Sequence, residues 1–140
     1  MQQQLKDKVL RVLNDNEVGT LATVVDNKPQ SRYMTFFHDD LTLYTATNKE
    51  THKTETIKEN PYVHVLVGYD GKGIGDAYLE VEGKASVHES EQLKKDLWNE
   101  HLSPWFEGPE DPNYVVLKIV PNQIRLMNNH GEEQDILRLH

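Results

Sequence analysis

The 140-residue sequence contains no cysteine. Disulfides, thiolate metal ligands, iron–sulfur clusters and a cysteine nucleophile are therefore excluded. Long hydrophobic runs are also missing, since apolar stretches such as 115–117 are far shorter than the roughly 20 residues that a membrane-spanning helix needs. Residues 1–7 lack the apolar segment of a secretory signal. These absences predict a cytoplasmic protein that does not enter a membrane.

Positive charge is scarce as well, because 15 Lys and Arg residues face 23 Asp and Glu residues and leave a net charge of −8. This acidity argues against nucleic-acid binding through bulk charge and against binding at a membrane surface. The acidity is uneven, since residues 28–58 carry five of the basic and four of the acidic residues. Such a segment could bind one small anion if its basic residues share a site. Chance variation of surface charge is the alternative.

Hydrophobic periodicity predicts one domain over residues 1–140, with a helix at 5–15, a barrel at 18–128 and a tail at 129–140. Leu5, Val9, Val12 and Leu13 form one apolar stripe, which is typical of an amphipathic helix. Period-two patterns and turn residues predict the later strands. The predicted strands cover 18–25, 30–38, 41–46, 62–69, 77–87, 114–120 and 123–127.

The first three predicted strands are joined by tight turns and should form an antiparallel meander. A surface helix should begin at Thr47 or Asn48 and end before Pro61, and a second should cover 89–101. Gly83 is expected to mark a bulge. The fold class is therefore mainly β with helices: an antiparallel barrel of six to seven strands.

Several motifs give no functional signal. The seven histidines are scattered, without the spacing of a helical zinc site, and we predict no metal site. The glycines at 71, 73 and 75 do not match a phosphate-binding loop and predict a hairpin connection. No serine lies in a nucleophile elbow, so no catalytic residue is assigned. Within the proline-rich loop at 103–113, Trp105 is expected to anchor the core.

The informative stretch runs from Arg32 to Lys53. A helix that starts just after a strand offers free N–H groups and a positive dipole end, where phosphate binds well. Thr51 would add a hydroxyl, Lys53 a point charge, and Arg32 on a neighbouring strand a fork of donors. A phosphate site is one interpretation. A helix cap surrounded by solvated charges is the other.

These residues resemble a known family, the pyridoxamine 5′-phosphate oxidase-like, FMN-binding split barrels, over about residues 5–128. The resemblance rests on the order and spacing of short motifs. It is greatest for the general stress protein 26 branch, because of Trp98, Trp105 and the Ile124-Arg125-Leu126 segment. The motifs cover residues 32–37, 43–45, 51–53, 57–63 and 81–85.

The resemblance implies a split β-barrel homodimer with FMN in a groove between the subunits. It implies that Arg32, His52 and Lys53 face the FMN phosphate, with Thr51 beside them in the place of a serine. His52 stands where the family has Arg. The residues that would line the flavin are Tyr33, Met34, Thr35, Tyr44 and Thr45. For Trp105, a flavin-stacking ring is the alternative to a core anchor.

Two further departures argue against pyridoxamine phosphate as the substrate. Phe37 stands where true oxidases place a lysine for the substrate phosphate, and Tyr78 stands where they use a glutamine. The resemblance therefore implies an FMN-dependent oxidoreductase of the general-stress type that transfers hydride through the flavin. The alternatives are a protein that holds flavin without turnover, and a split barrel that binds haem or a deazaflavin.

Overall fold

The computed structural model describes residues 2–50, 52–69, 71, 76–128 and 135–139, and of these it leaves aside the side chains of residues 2, 52 and 53. The described chain forms three α-helices, one short 3-10 helix at Glu100–Leu102, and eight strands. The helices are α1 (Gln2–Asp15), α2 (His52–Glu59) and α3 (Glu91–Leu97). The strands are β1 (Val18–Val25), β2 (Lys28–Thr35), β3 (Phe37–Asp39), β4 (Thr42–Asn48), β5 (Tyr62–Gly68), β6 (Tyr78–His88), β7 (Tyr114–Met127) and β8 (Asp135–Arg138).

All strand pairs are antiparallel, in the order β2-β1-β5-β6-β7-β4-β3, with β8 paired to β7. β2 and β3 stand at opposite ends of this order, yet only Phe36 separates them along the chain. The sheet must therefore curl until its two edges approach each other. The Thr45 hydroxyl on β4, the neighbour of β3, donates to the Thr35 carbonyl on β2 at 2.8 Å and joins the two ends of the sheet. The result is the expected split β-barrel.

The predicted second strand at 30–38 is wrong, because the chain changes partners at Phe36. β2 pairs with β1, and β3 pairs with β4. The Phe36 N–H donates to the Glu17 carbonyl at 2.6 Å, and its side chain is buried. The expected three-strand meander is therefore two hairpins, and β4 takes β7 as its second partner.

The predicted break at Pro121 is also wrong, since β7 runs through it as one strand. A proline removes one donor from a strand, so it is tolerated at irregular positions. The register of β6 shifts between Glu82 and Gly83, and Gly83 is the partner of Pro121. The predicted bulge at Gly83 is confirmed, and a Cβ there would lie 2.7 Å from the Val120 carbonyl.

The helices and the tail also differ in part from the prediction. Thr47 and Asn48 belong to β4, and α2 begins only at His52. α2 is not a purely surface helix, because Thr54 and Ile57 are buried where it packs against β6 and β1. Within the tail, Leu137 docks as part of β8. Residues 70 and 72–75 of the predicted hairpin connection at 70–76, and tail residues 129–134 and 140, lie outside the described residues.

Buried side chains form two clusters. The barrel core is aliphatic apart from Phe36 and fills the space between α1 and the strands; it includes Val9, Leu21, Val65, Leu117 and Ile119. Val63, Val65 and Val67, which alternate along β5, point into it, and the predicted α1 stripe does the same. The second cluster, here called the aromatic cluster, contains Leu102, Phe106, Tyr114 and Val116. Among the described residues, no helix is long and apolar enough to cross a membrane.

Candidate functional site

A cavity of about 490 Å³ lies where the ends of β2 and β4 meet the segment that follows the short 3-10 helix. This volume falls in the usual range for cofactor and small-ligand sites. Its wall contains four of the residues predicted to line a flavin, and the segment 101–106 adds aromatic and apolar side chains. The lining residues are Val18, Tyr33, Met34, Thr35, Phe37, Thr45, Ala46, Thr47, Asn48, His101, Leu102, Trp105 and Phe106.

The strand part of this wall is fixed by the closure of the barrel. The hydrogen bond between the Thr45 hydroxyl and the Thr35 carbonyl holds β4 beside β2. Thr45 is buried, and Tyr33 lies on the outward face of β2 with its side chain 81% exposed. Because strand side chains alternate between faces, the cavity sits at the rim of the barrel and outside its packed core.

The loop part of the wall is held by polar contacts around Asp111. The Asp111 carboxylate accepts hydrogen bonds from the backbone N–H of Glu107 at 3.0 Å and of Asn113 at 2.9 Å. These bonds stabilise the charged form and lower the pKa of Asp111. The buried Lys94 on α3 donates its ammonium to the Asp111 carbonyl at 3.1 Å. The proline-rich loop is therefore tied to α3 and to itself.

The side chains of Phe106 and Trp105, both in this loop, lie in different surroundings. Phe106 is buried against Tyr114, with ring centroids 5.1 Å apart. Trp105 is 74% exposed and lines the cavity. The expectation that Trp105 anchors the core is therefore wrong, since Phe106 fills that position and leaves the indole at the rim.

Among the residues that the structure describes, no Asp, Glu, Lys or Arg lines the cavity. In a chain with a net charge of −8, a wall without carboxylates avoids repelling an anionic or electron-rich ligand. The side chains that can hydrogen-bond are mainly threonine hydroxyls, the Asn48 amide, the Tyr33 phenol and the His101 imidazole. Such a wall suits a large, mostly apolar ligand held by a few polar contacts.

Arg32 lies next to the cavity wall along β2 without being part of the lining. Its guanidinium contacts the Thr23 hydroxyl at 3.4 Å and the Gln30 amide oxygen at 3.3 Å. Over the part of the chain that the structure describes, no carboxylate forms an ion pair with Arg32. Its charge is therefore available to an external anion.

The structure describes only part of the predicted anion site at the start of α2. Thr51 lies outside the described residues, and the side chains of His52 and Lys53 do as well, although both residues begin α2. The helix start is close to the cavity along the chain, because Thr47 and Asn48 line the cavity. The Thr54 hydroxyl donates to the Lys49 carbonyl at 3.2 Å and orients this first turn.

The structure thus brings Tyr33, Met34, Thr35 and Thr45 into one cavity, and it places Tyr44 elsewhere. Tyr44 packs against the aromatic cluster. Sequence reasoning missed His101 and Leu102 on the short 3-10 helix, and Phe106 in the loop that follows it. Aromatic side chains inside a proline-rich loop were the available signal, since a loop without a ligand or packing role rarely needs them.

A second, more open cavity of about 940 Å³ lies on the outward face of β1, β5 and β6. It shares Val18 and Tyr33 with the first cavity and adds Leu66 and Tyr69. These four side chains are 40–81% exposed. Large exposed apolar surfaces of this kind usually bind a ligand or another protein. Within the described ranges, no three His, Asp or Glu side chains converge as metal ligands would.

The curled antiparallel sheet defines a split-barrel protein, and the rim cavity is its candidate small-molecule site. Comparison with known sequences extends this assignment: the sequence model of the pyridoxamine 5′-phosphate oxidase family matches residues 5–128. The chain belongs to this family.

Two relatives are similar over nearly the whole chain. General stress protein 26 of Bacillus subtilis (strain 168) is 59% identical over 127 residues, which cover 91% of each chain. The crystal structure of General Stress Protein 26 from Bacillus anthracis str. Sterne is 41% identical and superposes with a TM-score of 0.87, covering 97% of this chain and 99% of that one.

Two less similar structures belong to proteins that are named for the ligand they bind. A FAD-binding protein from Mesorhizobium loti is 25% identical with a TM-score of 0.68, covering 84% of this chain and 89% of that one. A heme binding protein from Mycobacterium smegmatis is 13% identical with a TM-score of 0.77, covering 95% of this chain and 57% of that one. The second likeness is one of fold alone.

Proposed function

We propose that this chain is a homodimeric FMN-binding flavoprotein of the cytoplasm and an oxidoreductase of the general-stress type. The observation that carries the proposal is the cavity at the barrel rim. Tyr33, Met34, Thr35 and Thr45, which the family resemblance assigns to the flavin, line it together. Arg32 lies on the same strand as three of them.

The chemistry of the wall fits FMN. The isoalloxazine ring is large, flat and rich in hydrogen-bond acceptors, and the wall offers apolar surface with hydroxyl donors. The FMN phosphate is dianionic and requires local positive charge in this acidic chain. Arg32 and Lys53 would supply it, with the N-terminal N–H groups of α2.

When bound, FMN would supply hydride chemistry at N5, which amino-acid side chains do not provide. The chain itself would bind and orient the ring through residues 33–35 and Thr45, and it would hold the phosphate through Arg32, His52 and Lys53. Phe106 and Leu102 would help to exclude water from the cavity. No residue is assigned a proton-transfer role.

A homodimer is supported by the outward sheet face. Val18, Tyr33, Leu66 and Tyr69 expose apolar surface around the second cavity. Tyr33, Thr20 and Leu66 are successive cross-strand neighbours, so this surface is continuous across β2, β1 and β5. A second copy packed on this face would cover that surface and would bring the rim cavity to the subunit interface.

The first experiment is an absorption spectrum of the purified chain. We expect a yellow protein with flavin bands, and reconstitution with FMN after the flavin has been removed. A colourless protein that ignores added FMN would contradict the proposal, and a Soret band would favour haem. Turnover of NADH or NADPH with an artificial acceptor then distinguishes a reductase from a protein that only holds flavin.

Arg32→Ala and Lys53→Ala test the phosphate site. Each variant removes a charged hydrogen bond worth roughly 1.5–3 kcal/mol, so FMN affinity should fall about 10- to 150-fold. Affinity for riboflavin, which has no phosphate, should stay the same in both variants. Fluorescence titration with each flavin measures the difference.

Matched controls are available on the same two elements. Lys28→Ala changes an exposed residue at the other end of β2, and Lys58→Ala changes the last turn of α2. Neither control should alter FMN affinity more than twofold. If Arg32→Ala and Lys53→Ala behave like these controls, the phosphate binds elsewhere.

A further inference from the structure

The cavity at the barrel rim has a part that the proposed flavin site does not explain. The residues assigned to FMN come from β2, β4 and the start of α2. His101, Leu102, Trp105 and Phe106 come from a separate segment, yet they line the same cavity. This segment must therefore face either the cofactor or a second ligand.

Trp105 is held in place although it is exposed. Its backbone N–H donates to the Leu102 carbonyl at 3.0 Å, and the N–H of Phe106 donates to the same carbonyl at 3.0 Å. The buried Phe106 ring and the Asp111 contacts fix the chain on the other side. Keeping a large apolar ring in water is unfavourable unless something covers it. An indole on a fixed loop at a cavity rim is prepared to stack on a flat ligand.

The surroundings of Trp105 restrict the ligand. A cationic ligand is stabilised by carboxylates, and none lies among the described residues of the lining. Within the described part of the lining, His101 supplies the one imidazole, which can donate to or accept from a carbonyl or hydroxyl group. Its backbone N–H is bonded to the Asn99 side chain at 2.9 Å, so its position on the short 3-10 helix is fixed.

We propose that Trp105 and His101 form the co-substrate side of this cavity and select a planar aromatic molecule without positive charge, such as a quinone. This inference rests on the proposed flavoprotein function. Through the bound flavin, the quinone would take up a hydride that comes from NADPH and one proton from solvent, and it would leave as the hydroquinone while NADPH becomes NADP⁺. Trp105 supplies the stacking surface, and His101 supplies a hydrogen bond to an oxygen of the ligand.

Tryptophan fluorescence tests the binding directly. The chain has two tryptophans, so Trp98→Phe leaves Trp105 as the only indole. In the full-length chain without flavin, menadione should quench this signal in a saturable way. Trp105→Phe, in which Trp98 alone reports, should show only the linear quenching caused by collisions. If Trp98→Phe fails to fold, the wild type and Trp105→Phe give the same comparison.

Reconstitution with FMN separates the possible positions of Trp105. We expect menadione to keep quenching Trp105 after FMN has bound. If FMN abolishes the menadione effect, Trp105 covers the cofactor and the proposal is overturned. If FMN does not bind at all, the proposed function fails, whereas the flavin-free titration still reports on the loop.

Steady-state kinetics give a second measurement. In the FMN-loaded chain, Trp105→Ala should raise KM for menadione about tenfold, with kcat and FMN affinity within twofold of the wild type. His101→Ala should raise KM severalfold. Tyr62→Ala, which removes an exposed ring outside both cavities, should change neither constant. If Trp105→Ala leaves KM unchanged, or dissociates the dimer without affecting menadione binding, the proposal is overturned.

Discussion

The barrel core and the aromatic cluster are stabilised by different interactions. Side chains of the barrel core, such as Leu21, Val65 and Leu117, are aliphatic and pack by shape alone. The aromatic cluster depends on polar contacts as well. The Tyr114 hydroxyl donates to the Lys94 carbonyl at 2.9 Å, and the Lys94 ammonium lies 5.3 Å from the centre of the Tyr114 ring.

This difference separates the fold from the site. The barrel core joins α1 to the strands and sets the curl of the sheet. The aromatic cluster packs α3 against the short 3-10 helix and the loop that follows it. His101 on that helix and Trp105 and Phe106 in that loop line the cavity. A change in the second cluster should therefore alter the ligand site at a much smaller cost in global stability than a change in the first.

The largest effect is expected in the barrel core. Leu21 is fully buried, so Leu21→Ala removes apolar contacts and leaves a cavity. The free energy of unfolding should fall by about 2–5 kcal/mol. Urea unfolding, followed by circular dichroism, measures this loss.

Val120→Ala is the control for this change, because Val120 is an exposed residue of β7. It should alter the free energy of unfolding by less than about 0.5 kcal/mol. A small effect of Leu21→Ala would mean that the barrel core does not dominate global stability, and the contrast between the two clusters would be lost.

A smaller effect is expected from Tyr114→Phe in the aromatic cluster. The change removes the hydrogen bond to the Lys94 carbonyl, which should cost about 1 kcal/mol at pH 8. Burial raises the pKa of Tyr114 to about 12 from an ordinary value of 10.0. The unfolded chain therefore loses this proton at a lower pH than the folded chain does. The stabilisation that comes from the raised pKa of Tyr114 is fully present below pH 10 and is lost as pH rises toward 12.

Tyr114→Phe should lack this alkaline loss. The wild type loses stability between pH 8 and pH 11 and the variant does not. The free energy of unfolding of Tyr114→Phe minus that of the wild type should therefore rise by about 1 kcal/mol over this range. Urea unfolding at both pH values measures the difference. Tyr62→Phe, at an exposed tyrosine, is the control and should show no such change. An unchanged difference between wild type and Tyr114→Phe would indicate that the Tyr114 hydroxyl is not buried in solution.

The two clusters also differ in how far the sequence predicts them. Alternating apolar residues such as Val63, Val65 and Val67 predict a buried strand face, because strand side chains alternate. Such patterns located the barrel core and most strands. The exchange of partners at Phe36 and the continuous β7 through Pro121 depend on which strands meet after the sheet curls, and local patterns do not encode that.

The candidate site was predictable where short motifs resemble a family, as at Tyr33, Thr35 and Thr45. The loop side of the cavity was not predictable from the sequence. Lys94 and Asp111, which hold this loop, are 17 positions apart, and neither lies in a distinctive local pattern. A buried lysine in a short helix resembles a surface lysine until its partner is known. The sequence therefore predicts the barrel and one side of the cavity, and long-range polar contacts determine the other side.

The smallest effect on global stability, and the most selective effect on the site, is expected from Asp111→Ala. The change removes the acceptor for the Glu107 and Asn113 N–H groups, so amide exchange at these two positions should accelerate while the barrel amides stay protected. Menadione affinity should fall as the proline-rich loop that carries Trp105 loosens, with the melting temperature almost unchanged.

The same contacts should depend on pH. Because the pKa of Asp111 is lowered in the folded chain, the stabilisation that its carboxylate gives the loop is present above its ordinary pKa of 3.8 and is lost as pH falls through the lowered pKa. Acid should therefore release the Glu107 and Asn113 amides in the wild type and have no such effect in Asp111→Ala. Glu110→Ala, at the exposed neighbouring carboxylate, is the matched control and should behave like the wild type. Equal loss of protection in the loop and the barrel after Asp111→Ala would show that the two clusters unfold as one unit, and that the loop side of the cavity cannot vary independently of the barrel.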